Sequence, residues 1–385
     1  MQRIYLDHNA TTPLRPEVVD AMMRVLREDF GNPSSIHWAG SAARDAVEAA
    51  RSQVAAAVGC DPGCIVFTSG ATEASNTVLQ HAARRALAAS PARQLVTCAT
   101  EHPSVLDTAR ELRRGGLAVT VLPVEADGRL DPQLFSEALT RPTQLASVMW
   151  ANNETGVLQP IPELAGRARD AGVAFHSDAV QVLGKLPLRL ASEPVDFASF
   201  SAHKLGGPKG IGALYVRAGA RVQPLLHGGP QERRRRAGTE NVPGIVGFGA
   251  ACVAAMRDLD ERRRTLGALR DRLWRGIQET IPDAIANGAP AHRLPHVLSV
   301  SFVGADGEAL VQALDMEGIA VAAGAACASG SLEPSHVLLA MGLSPEVGGG
   351  SIRISLGVGT VADHVERLLA VLPGIVERVR KETHP

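Results

Sequence analysis

A chain of 385 residues with 45% hydrophobic and 21% charged residues carries ample apolar side chain to bury, which excludes a disordered or collagen-like polymer. At roughly 100–200 residues per domain, this length suggests two domains or one large domain with an appendage. With 39 Lys+Arg against 40 Asp+Glu and only 3% aromatic residues, there is neither a basic excess for nucleic acid nor a stacking surface for bases. The expected ligand is small.

The chain opens with Ile4-Tyr5-Leu6-Asp7, which reads as a strand and lacks signal-peptide organisation. From about residue 60 to 220, short β-branched runs alternate with helical patterns. The predicted strands are Ile65–Thr68, Leu95–Cys98, Ala118–Leu122, Leu145–Ala151, Val173–His176, Phe197–Phe200 and Gly212–Val216, with helices between them such as Ser104–Arg114 and Pro132–Leu139. Such alternation implies crossover connections and a largely parallel sheet covered on both faces. A helix is predicted to start near Pro243 and run on through Met256 to Gln278. Its apolar part, Ile245 to Met256, is too short for a membrane span, so no membrane partner is expected. Pro282–Pro295 reads as a connector. Beyond it come a strand Val297–Phe302, a helix Gly307–Glu317, strands Ile319–Ala323 and Ile352–Leu356, and a last helix near Val361–Arg380.

Five cysteines, at positions 60, 64, 98, 252 and 327, do not make a disulfide framework. Cys60 and Cys64 lack a second Cys/His pair nearby, so no metal site is expected. The expected compartment is the cytoplasm.

Chemistry concentrates at three strand ends, where parallel sheets bind ligands. After Phe67-Thr68, Ser69-Gly70-Ala71-Thr72-Glu73 opens a helix whose N-terminus could receive an anion, or could be an ordinary N-cap. Val173–His176 is followed by Ser177-Asp178-Ala179 and Gln181; Asp178 is either a helix cap or a buried carboxylate awaiting a positive partner. Ser199–Ser201 leads into Ala202-His203-Lys204 and the glycines 206 and 207. Most lysines are solvated, but an apolar strand before Lys204 can desolvate its amine and make it nucleophilic. An amine, a carboxylate and a helix N-terminus are together the parts that hold pyridoxal phosphate (PLP).

The chain resembles the cysteine desulfurases, fold-type I PLP enzymes of the class V aminotransferase group. The resemblance rests on Tyr5-Leu6-Asp7-His8-Asn9-Ala10-Thr11-Thr12, Gly31-Asn32-Pro33-Ser34-Ser35, Phe67-Thr68-Ser69-Gly70-Ala71-Thr72-Glu73, Thr100-Glu101-His102 and Asn152-Asn153-Glu154-Thr155-Gly156. It continues through Ser201-Ala202-His203-Lys204, Gly207-Pro208-Lys209-Gly210-Ile211-Gly212, Arg235-Arg236-Ala237-Gly238-Thr239-Glu240-Asn241 and Ser329-Gly330-Ser331-Leu332-Glu333-Pro334-Ser335. It implies an α/β fold with a mostly parallel seven-stranded sheet in a large PLP-binding domain (residues 21–255) and a smaller α+β domain (256–385) carrying the catalytic cysteine loop. Residues 1–20 would pack with the small domain.

Site roles follow from the same resemblance. Lys204 would hold the cofactor covalently and later move the substrate Cα proton. Asp178 would pair with the pyridine nitrogen, Gln181 would bond the ring hydroxyl, and His102 would stack on the ring. Thr72, Ser201 and His203 would bind the phosphate, with Ala71 also a cofactor-binding position. Thr239 would come from the partner subunit, implying a homodimer. Asn153 and Arg353 would hold the substrate carboxylate, a task suited to the guanidinium fork. Cys327, in the small-residue loop Gly324-Ala325-Ala326-Cys327-Ala328-Ser329, would be the nucleophile that takes sulfur from L-cysteine as a persulfide, leaving L-alanine. The implied partners are L-cysteine and a sulfur-acceptor or iron–sulfur scaffold protein. The loop length suggests the branch serving iron–sulfur cluster assembly.

The residues themselves leave alternatives. His102 before Pro103 and Asn152–Gly156 also read as turns, Arg353 could lie on an exposed strand face, and Arg233–Arg236 could be a solvated charge run. A PLP aminotransferase or β-eliminating lyase would need no thiol, and a non-catalytic scaffold could lose Lys204 or Asp178. Ala322, Ala323, Ala325 and Ala328 replace hydroxyl residues common near the family nucleophile, and Pro230 stands where a third glycine is common. Longer relatives dock the scaffold protein through a C-terminal tail; here Pro385 follows soon after the last predicted helix, so docking by that route is not expected.

Overall fold

The computed structural model describes residues 3–324 and 334–383. A two-residue strand, β1 (Ile4–Tyr5), precedes a seven-stranded sheet made of β2 (Ile65–Thr68), β3 (Gln94–Cys98), β4 (Ala118–Leu122), β5 (Thr143–Ser147), β6 (Ala174–Asp178), β7 (Phe197–Ser201) and β8 (Gly212–Val216). Their order is β2-β8-β7-β6-β5-β3-β4. Only β8 runs against its neighbours, β2 and β7; every other pair is parallel, as the alternation predicts.

The apolar runs pack on both faces because successive strand residues point to opposite sides. Phe67, Val96, Ala146, Phe175 and Phe200 join one core with Val47 and Val54 of the helix Trp38–Val58 and Phe248 of the helix Val242–Arg257. Their neighbours Val66, Leu95, Leu145 and Leu214 join another with Ala74 and Val78 of the helix Ala71–Leu87. Apart from the edge strand β4, which is partly exposed, both faces of these strands are buried, so most of them read as largely apolar segments.

The second unit contains β9 (Ala284–Ala286), β10 (Val297–Phe302), β11 (Ile319–Ala320), β12 (Ala322–Ala323) and β13 (Ser351–Ser355), with an antiparallel sheet ordered β12-β13-β10-β9. Val300, Phe302, Ile352 and Ile354 form a separate core with Leu310 of the helix Gly307–Met316 and Leu368 of the helix Ala362–Thr383. Ile4 and Leu6 belong to this core, whereas Val18 and Val25 of the helix Pro16–Glu28 belong to the first.

Several boundaries differ from the sequence reading. The strand expected over Leu145–Ala151 ends at Ser147, and the Met149 N–H two residues on turns to the Glu101 carboxyl instead of the sheet. β6 runs on to include Asp178. The single strand expected over Ile319–Ala323 divides at Val321: β11 pairs with β1, and β12 pairs with β13. The helix expected from Pro243 to Gln278 is two helices, Val242–Arg257 and Leu259–Thr280, bent by 70°. At the bend, Arg262 pairs with Asp258 and donates to the carbonyls of Ala255 and Gly184, so helix-end acceptors are satisfied without continuing the helix. The expected connector contains the short β9. Among the described residues, no single helix is long and apolar enough to cross a membrane.

Candidate active site

Parallel strands deliver their C-terminal ends to one edge of the sheet, and β8, running the other way, starts at that edge. A cavity of about 590 Å³ opens there. It is lined by Ala71 and Thr72 beyond β2, His102 beyond β3, Asn153 beyond β5, Asp178 and Gln181 from β6, and Ser201, His203 and Lys204 from β7. Arg353 reaches it from β13. Thus every site residue expected on the described part lines the cavity except Thr239, which is exposed elsewhere on the surface. Cys327 lies outside the described residues.

The helix Ala71–Leu87 starts immediately after Gly70 and has no side-chain cap. Glu73 instead folds back to accept the Ser69 N–H at 2.7 Å and pairs with Arg236 at 3.0 Å. A Cβ added at Gly70 would meet nothing within 4 Å, so the space before the helix is open. The Ser or Thr N-cap alternative is thereby set aside, and Ser69, Gly70, Ala71 and Thr72 line the cavity at the start of this helix, where an anion could be received.

Asp178 is buried, and its Oδ1 accepts the Val180 N–H at 3.0 Å. Burial raises its pKa above the ordinary carboxylate value, against the opposing pull of His102 and Lys204. His102 caps the helix Pro103–Arg114, its Nδ1 accepting the Ser104 N–H at 3.1 Å. The neutral ring therefore carries its proton on Nε2, and burial holds its pKa below the ordinary imidazole value. His203 places Nδ1 3.1 Å from Thr11 Oγ1 and is pushed down to about 4 by burial and then by Lys204.

Lys204 Nζ donates to the carbonyls of Asn9 and Ala10 at 2.6 and 2.7 Å. Gln181 donates from Nε2 to the Asn9 carbonyl at 3.1 Å and accepts from Lys185 at 2.5 Å. Arg353 is buried, which overturns the exposed-face alternative. Its Nη2 pairs with Asp7 at 2.6 Å, Nη1 donates to the Asn153 carbonyl at 3.1 Å, and Nε has no hydrogen-bond partner among the described residues. Asn152–Gly156 is indeed a turn, with Asn152 Oδ1 accepting the N–H groups of Glu154 and Thr155 and Gly156 at φ 76°; the turn also brings Asn153 to the cavity. The arginine run is only partly solvated: Arg236 pairs with Glu73, while Arg233 and Arg234 are exposed.

Sequence reasoning assigns no role to Asp7, Asn9 or Lys185. Asp7 and Asn9 lie within the family-like segment Tyr5–Thr12, but their contacts are with residues far along the chain. Lys185 follows Gln181 by four residues, a spacing that signals their contact.

The chain belongs to the aminotransferase class-V family, whose model matches residues 4–368. It is 49% identical to a cysteine desulfurase of Cereibacter sphaeroides over 99% of this chain and 97% of the relative. Among solved structures it is similar to a NifS-like protein (37% identity, TM-score 0.91, covering 98% of this chain and 100% of that one) and to SspA in complex with cysteine (33%, 0.81, 94% and 100%).

The cofactor of this family is pyridoxal 5′-phosphate, and the donor set fits it. The uncapped helix suits the phosphate, the buried Asp178 suits a protonated ring nitrogen, and the amine of Lys204 lies on the same cavity.

Proposed function

We propose that this chain is a cysteine desulfurase, converting L-cysteine to L-alanine while its sulfur passes to Cys327 as a persulfide. The observation that carries this reading is the convergence of Lys204, Asp178, His102 and Arg353 on one cavity in a class-V aminotransferase chain. Pyridoxal phosphate, when bound, supplies the electron sink that lets the substrate carbon–sulfur bond break. Lys204 would hold the cofactor, and its Nζ would take the substrate Cα proton. Asp178 would hold the ring nitrogen and Gln181 the ring hydroxyl, and His102, protonated on Nε2, would lie against the ring. Ala71, Thr72, Ser201 and His203 hold the phosphate end. Arg353 and Asn153 orient the substrate carboxylate. Cys327 Sγ attacks the substrate sulfur; a sulfur–sulfur bond forms as the carbon–sulfur bond breaks, and the carbon retains the pair and is protonated. Atoms balance as enzyme thiol plus cysteine giving enzyme persulfide plus alanine. Two further thiols then release sulfide and leave as a disulfide.

The test is to measure sulfide and alanine from L-cysteine with reductant for wild type, Cys327→Ala and Lys204→Ala, alongside cofactor absorption. Equal sulfide and alanine, lost in Cys327→Ala with its cofactor band intact, support the reading. Pyruvate and ammonia, or full activity without the thiol, overturn it.

The same reading includes a homodimer in which Thr239 serves the partner's phosphate site. Phe30 (73% exposed), Ile36 (96%) and Trp38 (75%) support it, because so much adjoining apolar surface suits a second subunit. The sulfur acceptor we infer is an iron–sulfur scaffold or thiolation protein, and the compartment the cytoplasm, in keeping with free thiols at Cys60, Cys64, Cys98 and Cys252. The domain division inferred is residues 21–255 and 256–385, with 1–20 joining the smaller unit; two separate apolar cores support the two units, and of the first segment Ile4 and Leu6 sit in the smaller unit's core whereas Val18 sits in the larger one's.

A further inference from the structure

Asn9 is 1% exposed, and all its polar groups are engaged. Its N–H donates to Ser355 Oγ at 2.9 Å, and Nδ2 donates to the Asn153 carbonyl at 3.0 Å. With Nδ2 committed to a carbonyl, Oδ1 faces His296 Nε2 at 2.9 Å, so His296 is the donor. Burial and nearby Lys185 keep that imidazole well below its ordinary pKa, hence neutral. The Asn9 carbonyl accepts from Lys204 at 2.6 Å and Gln181 at 3.1 Å. The Asn153 carbonyl also accepts from Arg353 at 3.1 Å. One asparagine therefore joins the lysine to both residues assigned to the substrate carboxylate.

We propose that Asn9, held by His296, is a positioning residue for Lys204: it fixes the carbonyl on which the lysine amine rests whenever that amine is not joined to the cofactor. This rests on the reading of Lys204 as the cofactor lysine. Two carbonyl acceptors select one rotamer of a flexible side chain and favour its ammonium form. His102, Asp178, Lys185 and His203 also face the amine, and none of them is altered by changing Asn9 or His296. Loosening Asn9 would therefore weaken one of the amine's two carbonyl acceptors while leaving His102, Asp178, Lys185 and His203 unsubstituted.

The experiment uses full-length holoenzyme treated with hydroxylamine to displace Lys204 from the cofactor. Trace reductive methylation with formaldehyde and cyanoborohydride then reports amine reactivity by peptide mass spectrometry, with the exposed Lys381 as internal reference. Lys204 should be methylated about five- to tenfold faster in Asn9→Ala and His296→Ala. His296→Gln, which keeps an N–H donor, should behave as wild type. Rates within twofold of wild type in Asn9→Ala and His296→Ala overturn the proposal, as does His296→Gln matching His296→Ala. Should Asn9→Ala not fold, the two His296 variants decide the matter. Lys204 methylation indifferent to hydroxylamine would instead overturn the cofactor-lysine reading on its own.

Discussion

Asp7, just beyond the first strand, and Arg353, on the last strand of the small sheet, are 346 positions apart and form a 2.6 Å ion pair at the cavity. Arg353 is 3% exposed in its side chain, so this pair supplies a buried counterion to its guanidinium. Asp7→Ala leaves a buried guanidinium without its counterion and should cost about 3 kcal/mol of stability in denaturant titrations. Arg353→Lys keeps the charge but loses the planar fork. The KM for L-cysteine should rise about tenfold with the cofactor absorption unchanged, a loss of binding rather than of the cofactor site.

Glu232 is a second buried anchor. Its carboxylate takes both terminal nitrogens of Arg51, at 2.8 and 2.7 Å, and the Phe67 N–H at 2.9 Å. Glu232, Arg233 and Arg234 all have left-handed backbone, with φ of 47°, 57° and 65°. Such conformations cost of order 1 kcal/mol or more each and persist where surrounding contacts over-determine them. Glu232→Ala removes the clamp and exposes that cost. It should lower unfolding free energy by about 3–5 kcal/mol, measured by urea titration.

Stability should fall on acidification. His176 is buried between Ser147 Oγ at 2.8 Å and Ser199 Oγ at 2.9 Å, and burial pushes its pKa down to about 3. The unfolded chain therefore binds a proton below about pH 6.5 that the folded chain refuses. The stability is fully present above that value and is lost at about 1.4 kcal/mol per pH unit as pH falls toward the folded pKa. His176→Gln should make the fall of the urea midpoint between pH 4 and 6 less steep by about one proton's worth, the other buried histidines keeping the rest; an equally steep midpoint would contradict the assignment.

Glu101 has the opposite sign. Fully buried, with its carboxyl accepting the Met149 N–H, it is raised well above the ordinary carboxylate value. The folded state keeps a proton that the unfolded state releases, so stability falls as pH rises from about 4.5 toward the raised value. Glu101→Gln, which mimics the protonated group, should remove this dependence and be at least as stable as wild type at neutral pH.

The apolar surface at residues 30–38 gives an association test. Phe30 and Trp38 meet edge to face, 6.3 Å between ring centroids, yet both remain exposed. On the homodimer reading, wild type should sediment as a dimer and a Phe30→Asp/Trp38→Asp double variant as a monomer, because a buried charge opposes association.

Much of the cavity is legible in the sequence, for a physical reason. Asp178, Lys204 and Thr72 each stand within a few residues of a strand end, and an apolar run followed by small residues is a local signal. A mostly parallel sheet then carries these ends to a common edge. The division of Ile319–Ala323 is not legible, because its residues are uniformly apolar and nothing local marks Val321 as the point where pairing passes from β1 to β13. The break in the helix through Gln278 is hidden for a similar reason: helical periodicity continues across Asp258, and the bend depends on contacts of Arg262 with Gly184.

The sequence by itself determined the kinds of chemical group available, the alternation that builds the sheet and the order in which site residues reach its edge. These depend on neighbours a few positions apart. Only the tertiary structure decided that Arg353 is buried against Asp7, that Glu232 closes on Arg51, and that Asn9 meets Lys204, Asn153 and His296. Those contacts join segments 144 to 346 positions apart, so their geometry is set by the packing of the whole fold and not by neighbours along the sequence.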